Sequence, residues 1–181
     1  MREIEGFNLK TKMEEFTILE FETISSIMND ENKDNIEKYL NILEYLGTPD
    51  DILNEMTTDT FYDIIKEMNS DVECDKTLLP QITIDKYTYD AYTGDEFKLK
   101  IKDLSKIESR ILAKPNEYVL YAIAVIFKRT DLTKTEHYTE AHIEYKMKLF
   151  KELPVIDIYP YIVYIQENVS KKLLLMSDDN K

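Results

Sequence analysis

The chain has 181 residues, 43% of them hydrophobic, and a single cysteine, Cys74, which is the length of one domain with its own apolar core and excludes an internal disulfide. Three glycines and five prolines are too few for a turn-rich all-β fold. The net charge of −13 is concentrated between Glu14 and Asp75, where eighteen acids face three bases, whereas Lys76 to Lys181 holds sixteen acids against seventeen bases; such an N-terminal half repels phosphate backbones and argues against nucleic acid as a partner.

Residues 1–13 alternate apolar and polar side chains and predict an extended arm or an edge strand. A helix to about Met28 follows, with Thr17 as its cap, Glu20 reaching back from the third helical position, and Phe16 placed to staple onto Phe21. After a break at 29–32, Ile36, Leu40, Leu43 and Leu46 recur at helical spacing and predict a helix over 33–46 buried on that face, with Gly47 as its stop. Thr48 then caps a short third helix, Pro49 suits its first position, and Asp50 and Asp51 favour its positive end. Thr57, Thr58 and Asp59 restart the chain into a fourth helix with Phe61, Ile64, Ile65 and Met68 on its buried face. Residues 14–70 thus read as an acidic unit of four short helices.

Residues 69–79 are a polar linker, after which the period changes. Ile82, Ile84, Tyr87 and Tyr89 around Asp85-Lys86, and Phe97, Leu99 and Ile101 alternating with Lys98, Lys100 and Lys102 beyond Thr93-Gly94-Asp95, predict a two- or three-stranded antiparallel insert within 71–102. An isolated hairpin is marginal in water, so it must lean on the helices or on a partner.

Residues 103–176 read as a helical core. Ser105 and Glu108 form a capping box for a helix that carries Ile107, Ile111 and Leu112 to a break at Pro115. Tyr118 to Phe127 then runs ten residues without a charge. As a helix it spans only about 15 Å, half a bilayer core, so it predicts a buried central helix rather than a membrane span. Its expected neighbours are Ile111, Leu112, Met147, Phe150 and the N-terminal helices. After a loop-like run, Thr139 to Glu152 forms a helix with Ile143, Met147 and Phe150 on one face, ended by Pro154. A last helix runs from Val155 to about Met176, kinked or restarted at Pro160, and 177–181 are expected to fray. The whole is a mainly α (α+β) protein: a multi-helix domain with a small antiparallel β-hairpin insert.

The motifs of catalysis are missing from the sequence: it holds no glycine-rich phosphate loop, no G-x-S-x-G, no H-E-x-x-H and no CxxC pair. His137, Glu140 and Glu144 would share a helix face, but a zinc site wants more His or Cys ligands, and the two histidines, His137 and His142, read as ordinary surface residues. Asp30, Asn32 and Asp34 resemble the first half of a calcium loop whose sixth position, Asn35, and twelfth, Asn41, fail the requirement for Gly and Glu. Cys74 lies among Asp71, Glu73 and Asp75, which oppose thiolate formation. No catalytic, cofactor-binding or metal residue is therefore expected. With no apolar leader at Met1-Arg2-Glu3 and no long apolar run, the expectation is a protein of a reducing cytoplasm with no membrane association. Tyrosines cluster at Tyr87, Tyr89 and Tyr92 and again at Tyr159, Tyr161 and Tyr164, a side chain suited both to interfaces and to core edges.

The segments from Glu15 to Phe21, from Leu43 to Ile52 and from Met56 to Phe61, in that order, resemble the N-terminal part of tail-assembly-chaperone-like proteins of tailed bacteriophages. The tyrosine-rich hairpin, the helix at Asp103-Leu104-Ser105, the apolar stretch from Tyr118 to Phe127, and Phe150 to Val155 continue the likeness, which covers residues 14–166 in element order. T4-type baseplate-hub assembly chaperones have a related layout, some with a cysteine-rich metal knuckle that this chain, with Cys74 alone, does not share. The resemblance implies a non-enzymatic protein of the host bacterial cytoplasm that holds a phage tail protein, the tape measure or a hub component, until assembly. The alternative is a structural virion protein of the neck, tail or baseplate, and a third reading is an acidic DNA-mimic inhibitor. For a binding role the candidate contacts are Asp50, Asp51 and Asp59 in the acidic unit and Tyr87, Tyr89 and Tyr92 at the hairpin.

Overall fold

The structure, a computed structural model, describes residues 1–70, 77–91, 97, 99–115, 117–132 and 136–178. The predicted N-terminal arm is a hairpin of β1 (Arg2–Ile4) and β2 (Phe7–Leu9), paired Ile4 to Phe7. Its two loop residues, Glu5 and Gly6, have φ of 49° and 85°, as a tight primed turn requires. Helices α1 (Ile18–Met28), α2 (Asn35–Tyr45), α3 (Asp50–Glu55) and α4 (Thr58–Met68) follow. The Thr17 hydroxyl accepts from the Glu20 amide at 3.2 Å, and the Glu20 carboxylate accepts from the Thr17 amide at 2.8 Å. Asp34 and Thr57 cap α2 and α4 in the same sense. At the end of α2, Gly47 stands at φ 83°; its amide donates to Glu44 at 2.9 Å and that of Thr48 to Leu43 at 3.0 Å, the paired bonds of a Schellman stop.

The second half holds β3 (Gln81–Ile84) and β4 (Tyr87–Asp90), α5 (Ile101–Ala113), α6 (Val119–Ile126), the two-residue β5 (Lys128–Arg129), α7 (Glu140–Phe150) and α8 (Val155–Asp178). The protein is mainly α with a small β part. All eight residues of α6 are buried, and the helix packs against α1, α5, α7 and α8. The predicted central helix is therefore the centre of the larger hydrophobic cluster, where Phe127, Phe150, Tyr89 and Tyr161 meet edge to face. A second, smaller cluster unites Ile4 and Leu9 of the hairpin with Tyr39, Ile42 and Leu43 of α2, Ile52 of α3, and Phe61 and Ile64 of α4. Ile24, Leu46 and Met68 pack against both clusters and join them.

Several sequence expectations are corrected. The alternation at 97–101 is not a strand: Ile101 opens α5 and is 73% exposed, while Phe97 and Leu99 pack on the main cluster. The third strand is instead β5, which pairs with β4 directly after α6. Thr93-Gly94-Asp95 lies outside the described residues. Because α5 starts at Ile101, Ser105 is no cap; its carbonyl accepts the Ser109 hydroxyl at 2.8 Å inside the helix. Leu112, expected beside α6, is 80% exposed. Thr48 does not cap α3: Pro49 holds that position, and the Thr48 hydroxyl is buried without a partner. Helix α8 continues through Pro160 and on to Asp178, past the expected end. Proline forfeits one helical hydrogen bond there, and the complete burial of Ile158 and Tyr161 on either side offsets it.

Candidate partner-binding groove

The face that α2 turns inward differs from the predicted one, and this leaves an apolar stripe of the helix open to solvent. Tyr39, Ile42 and Leu43 are buried, whereas Ile36 is 52% and Leu40 37% exposed. Helix α2 carries two overlapping apolar stripes, and the hairpin and α1 cover only one of them. On the open stripe, Ile36 and Leu40 stand one turn apart and face Leu53 and Met56 at the end of α3. Thr58, Phe61 and Tyr62 of α4 complete a groove of about 220 Å³, and Tyr62 is 54% exposed. Every wall is helix or helix joint, and no strand edge borders it.

The unit that carries this groove is acidic. Residues 34–70 contain nine acids against two bases. Asp50 and Asp51 occupy the first turn of α3, Glu55 its last, and Asp59 the first turn of α4, next to the groove-lining Thr58. All four are exposed, and among the described residues none has an ion-pair partner. Asp63 and Glu67 of α4 differ, for Arg2 of β1 reaches them at 3.7 and 2.8 Å. Asp50 and Asp59 stand one turn before the groove-lining Leu53 and Tyr62 on the same helix faces, whereas Asp51 lies on the other side of α3 from Leu53.

The tyrosines do not join them. Tyr89 is fully buried, its ring 5.1 Å from that of Phe150, and its hydroxyl is held above the usual phenol range by burial; as a partner contact it is corrected to a core residue. Tyr87 is half-buried, with the Arg129 guanidinium already 4.1 Å over its ring. Tyr92 lies outside the described residues.

Two buried charges that no spacing rule revealed support α6 from either end. Glu22 of α1 accepts from the Leu120 amide at 3.4 Å, and burial pushes its carboxyl up while the Val119 and Leu120 amides oppose the shift. Lys146 of α7, fully buried, donates to the Phe127 carbonyl at 2.9 Å, and burial with Lys128 nearby brings it down to about 7. The negative group therefore sits at the positive end of α6 and the positive group at its negative end. Beside Lys146, the Lys128 ammonium pairs with buried Asp103 at 2.9 Å.

The histidines are not surface residues. His137 is buried and His142 half-buried, and burial with the adjacent Lys146 drives His142 down to about 4. Buried neutral imidazoles beside a cation are packing groups. Among the described residues no group of three or more His, Cys, Asp or Glu is placed to hold a metal ion, and no helix is long and apolar enough to cross a membrane. At the failed calcium motif, Asp30 accepts from the Asn32 amide at 3.0 Å and from its side-chain nitrogen at 3.1 Å, an ordinary Asx turn. Comparison with protein-family models, curated proteins and solved structures finds no match to this chain.

Proposed function

We propose that the protein is a non-enzymatic assembly chaperone of phage morphogenesis that holds a tail component, the tape measure or a hub protein, before it is built into the tail. The observation that carries this reading is the open apolar groove on the acidic unit, with Ile36, Leu40 and Tyr62 exposed and with Asp50 and Asp59 on the helices that line it. A holding protein needs an apolar surface that stays in water without aggregating, and like charge beside it supplies that solubility. The sequence resemblance to tail-assembly-chaperone-like proteins supports the choice of cargo. Co-expression with tape-measure and hub proteins, followed by affinity capture, tests it: a stable complex with one of them is expected, and capture of neither overturns it. Mass spectrometry of purified particles separates this reading from the structural alternative, because a chaperone leaves the mature virion and a neck, tail or baseplate subunit remains.

A further inference from the structure

We infer that the groove between α2, α3 and α4 takes one amphipathic, basic α-helix of the partner, which lays an apolar stripe along Ile36, Leu40 and Tyr62 and its Lys and Arg side chains against Asp50 and Asp59. The inference deepens the chaperone reading and rests on its claim that the protein binds another protein, not on the identity of the cargo.

Three features select this occupant. First, about 220 Å³ is smaller than the roughly 300–1,000 Å³ of small-molecule sites, so it suits side chains from a larger partner rather than a free metabolite. Second, the walls are helical, and a helix has already spent its interior N–H and C=O groups on itself. An extended peptide buried there would find no backbone partners, whereas a helix arrives with its own bonds made and needs only apolar contact. The one-turn separation of Ile36 and Leu40 presents a ridge against which residues three and four apart on the incoming helix can pack. Third, the unpaired acids beside the groove, Asp50 and Asp59, favour a cationic partner and disfavour a second copy of this chain, whose residues 34–70 carry nine acids against two bases.

The test uses the full chain and a fluorescent synthetic peptide of about five helical turns, with Leu at positions one turn apart and Lys elsewhere. Controls replace every Lys by Glu, every Leu by Ser, or two central residues by Pro. The Lys/Leu helix is expected to bind with an affinity that falls as salt rises, and to shift amide resonances of residues 36–62. Each control should bind at least about tenfold more weakly. Ile36→Ser/Tyr62→Ser should weaken the peptide by a similar factor without changing the melting temperature, and Asp50→Asn/Asp59→Asn should flatten the salt dependence. Equal binding of the Leu-free or Pro-containing peptide, resonance shifts confined to another face, no binding, or a concentration-dependent dimer that masks the groove would each overturn the inference. A tail component captured equally well by the wild type and by Ile36→Ser/Tyr62→Ser would refute the groove while leaving the chaperone reading intact. Peptide binding without capture of any tail component would do the reverse.

Discussion

The two hydrophobic clusters are covered to different degrees. Around α6 every helical residue is buried, and charged Glu22 and Lys146 are drawn into the core to complete the helix ends. In the N-terminal unit α2 buries Tyr39, Ile42 and Leu43 yet leaves Ile36 and Leu40, both more apolar than Tyr39, exposed. The first region exposes isolated apolar side chains, Ile101 and Leu112 at the two ends of α5, whereas the second gathers Ile36, Leu40 and Tyr62 along one groove. Surplus apolar surface in a chain that otherwise caps its helices carefully is where a partner is to be sought.

The contrast predicts its largest effect at the centre of α6. Ile123→Asp should cost about 4 kcal/mol or more and unfold the protein, because an unpaired charge has no partner there; Ile36→Asp should stay within about 0.5–1 kcal/mol in the same urea titration. Equal losses would erase the distinction between the regions.

A pH titration probes the buried ammonium. Lys146 is lowered from 10.5 to about 7, so between those values the unfolded chain holds a proton that the folded chain has released, and stability rises with pH. From pH 7 to 9 the gain should be roughly 2 kcal/mol and should vanish in Lys146→Met. The raised hydroxyls of Tyr89 and Tyr121 act with opposite sign, but only from pH 10 upward. At the other end of α6, Glu22→Ala should cost about 1–2 kcal/mol by orphaning the Leu120 amide, and Glu22→Gln less, since its oxygen still accepts. Calorimetry of the pair separates the hydrogen bond from the charge.

Smaller changes refine the comparison. Thr17→Ala and Thr57→Ala each remove an N-cap and should cost about 1 kcal/mol. Leu40→Ser should alter stability by no more than about 0.5 kcal/mol, read by thermal melting.

How far the chain could be read without coordinates follows the range of each interaction. The caps at Thr17, Thr57 and Gly47 are made within five residues of themselves, so their spacing discloses them. Burial of Tyr118 to Phe127 was equally legible, for a helix that is apolar all round has no other solution. The inward face of α2 was not, because Ile36-Leu40-Leu43 and Tyr39-Ile42-Leu43-Leu46 both satisfy helical spacing and only the hairpin decides between them. Nor were β5, too short to show a period, or Glu22 and Lys146, whose partners lie 98 and 19 residues away. Of the six anticipated contacts, the exposure of the three acids was legible because charge seeks solvent; the burial of Tyr89 was not, since an amphipathic ring fits core and interface alike.

The bond from Glu22 to Leu120 also sets a schedule for synthesis. At about 5–20 residues per second, the 98-residue separation means that α1 leaves the ribosome roughly 5–20 s before the helix it will cap exists. Its start waits longer still, because the amides of Ile18 and Leu19 donate to the carbonyls of Leu153 and Lys151. During that interval the smaller cluster, complete by Ile64, is available to the nascent chain while the larger, which runs to Ile165, is not, so the acidic unit is expected to fold first. Pulse-labelled ribosome-bound chains just long enough for residues 1–70 to have left the exit tunnel should already protect Ile42 and Ile64 from exchange, and their amides should remain protected after α6 emerges.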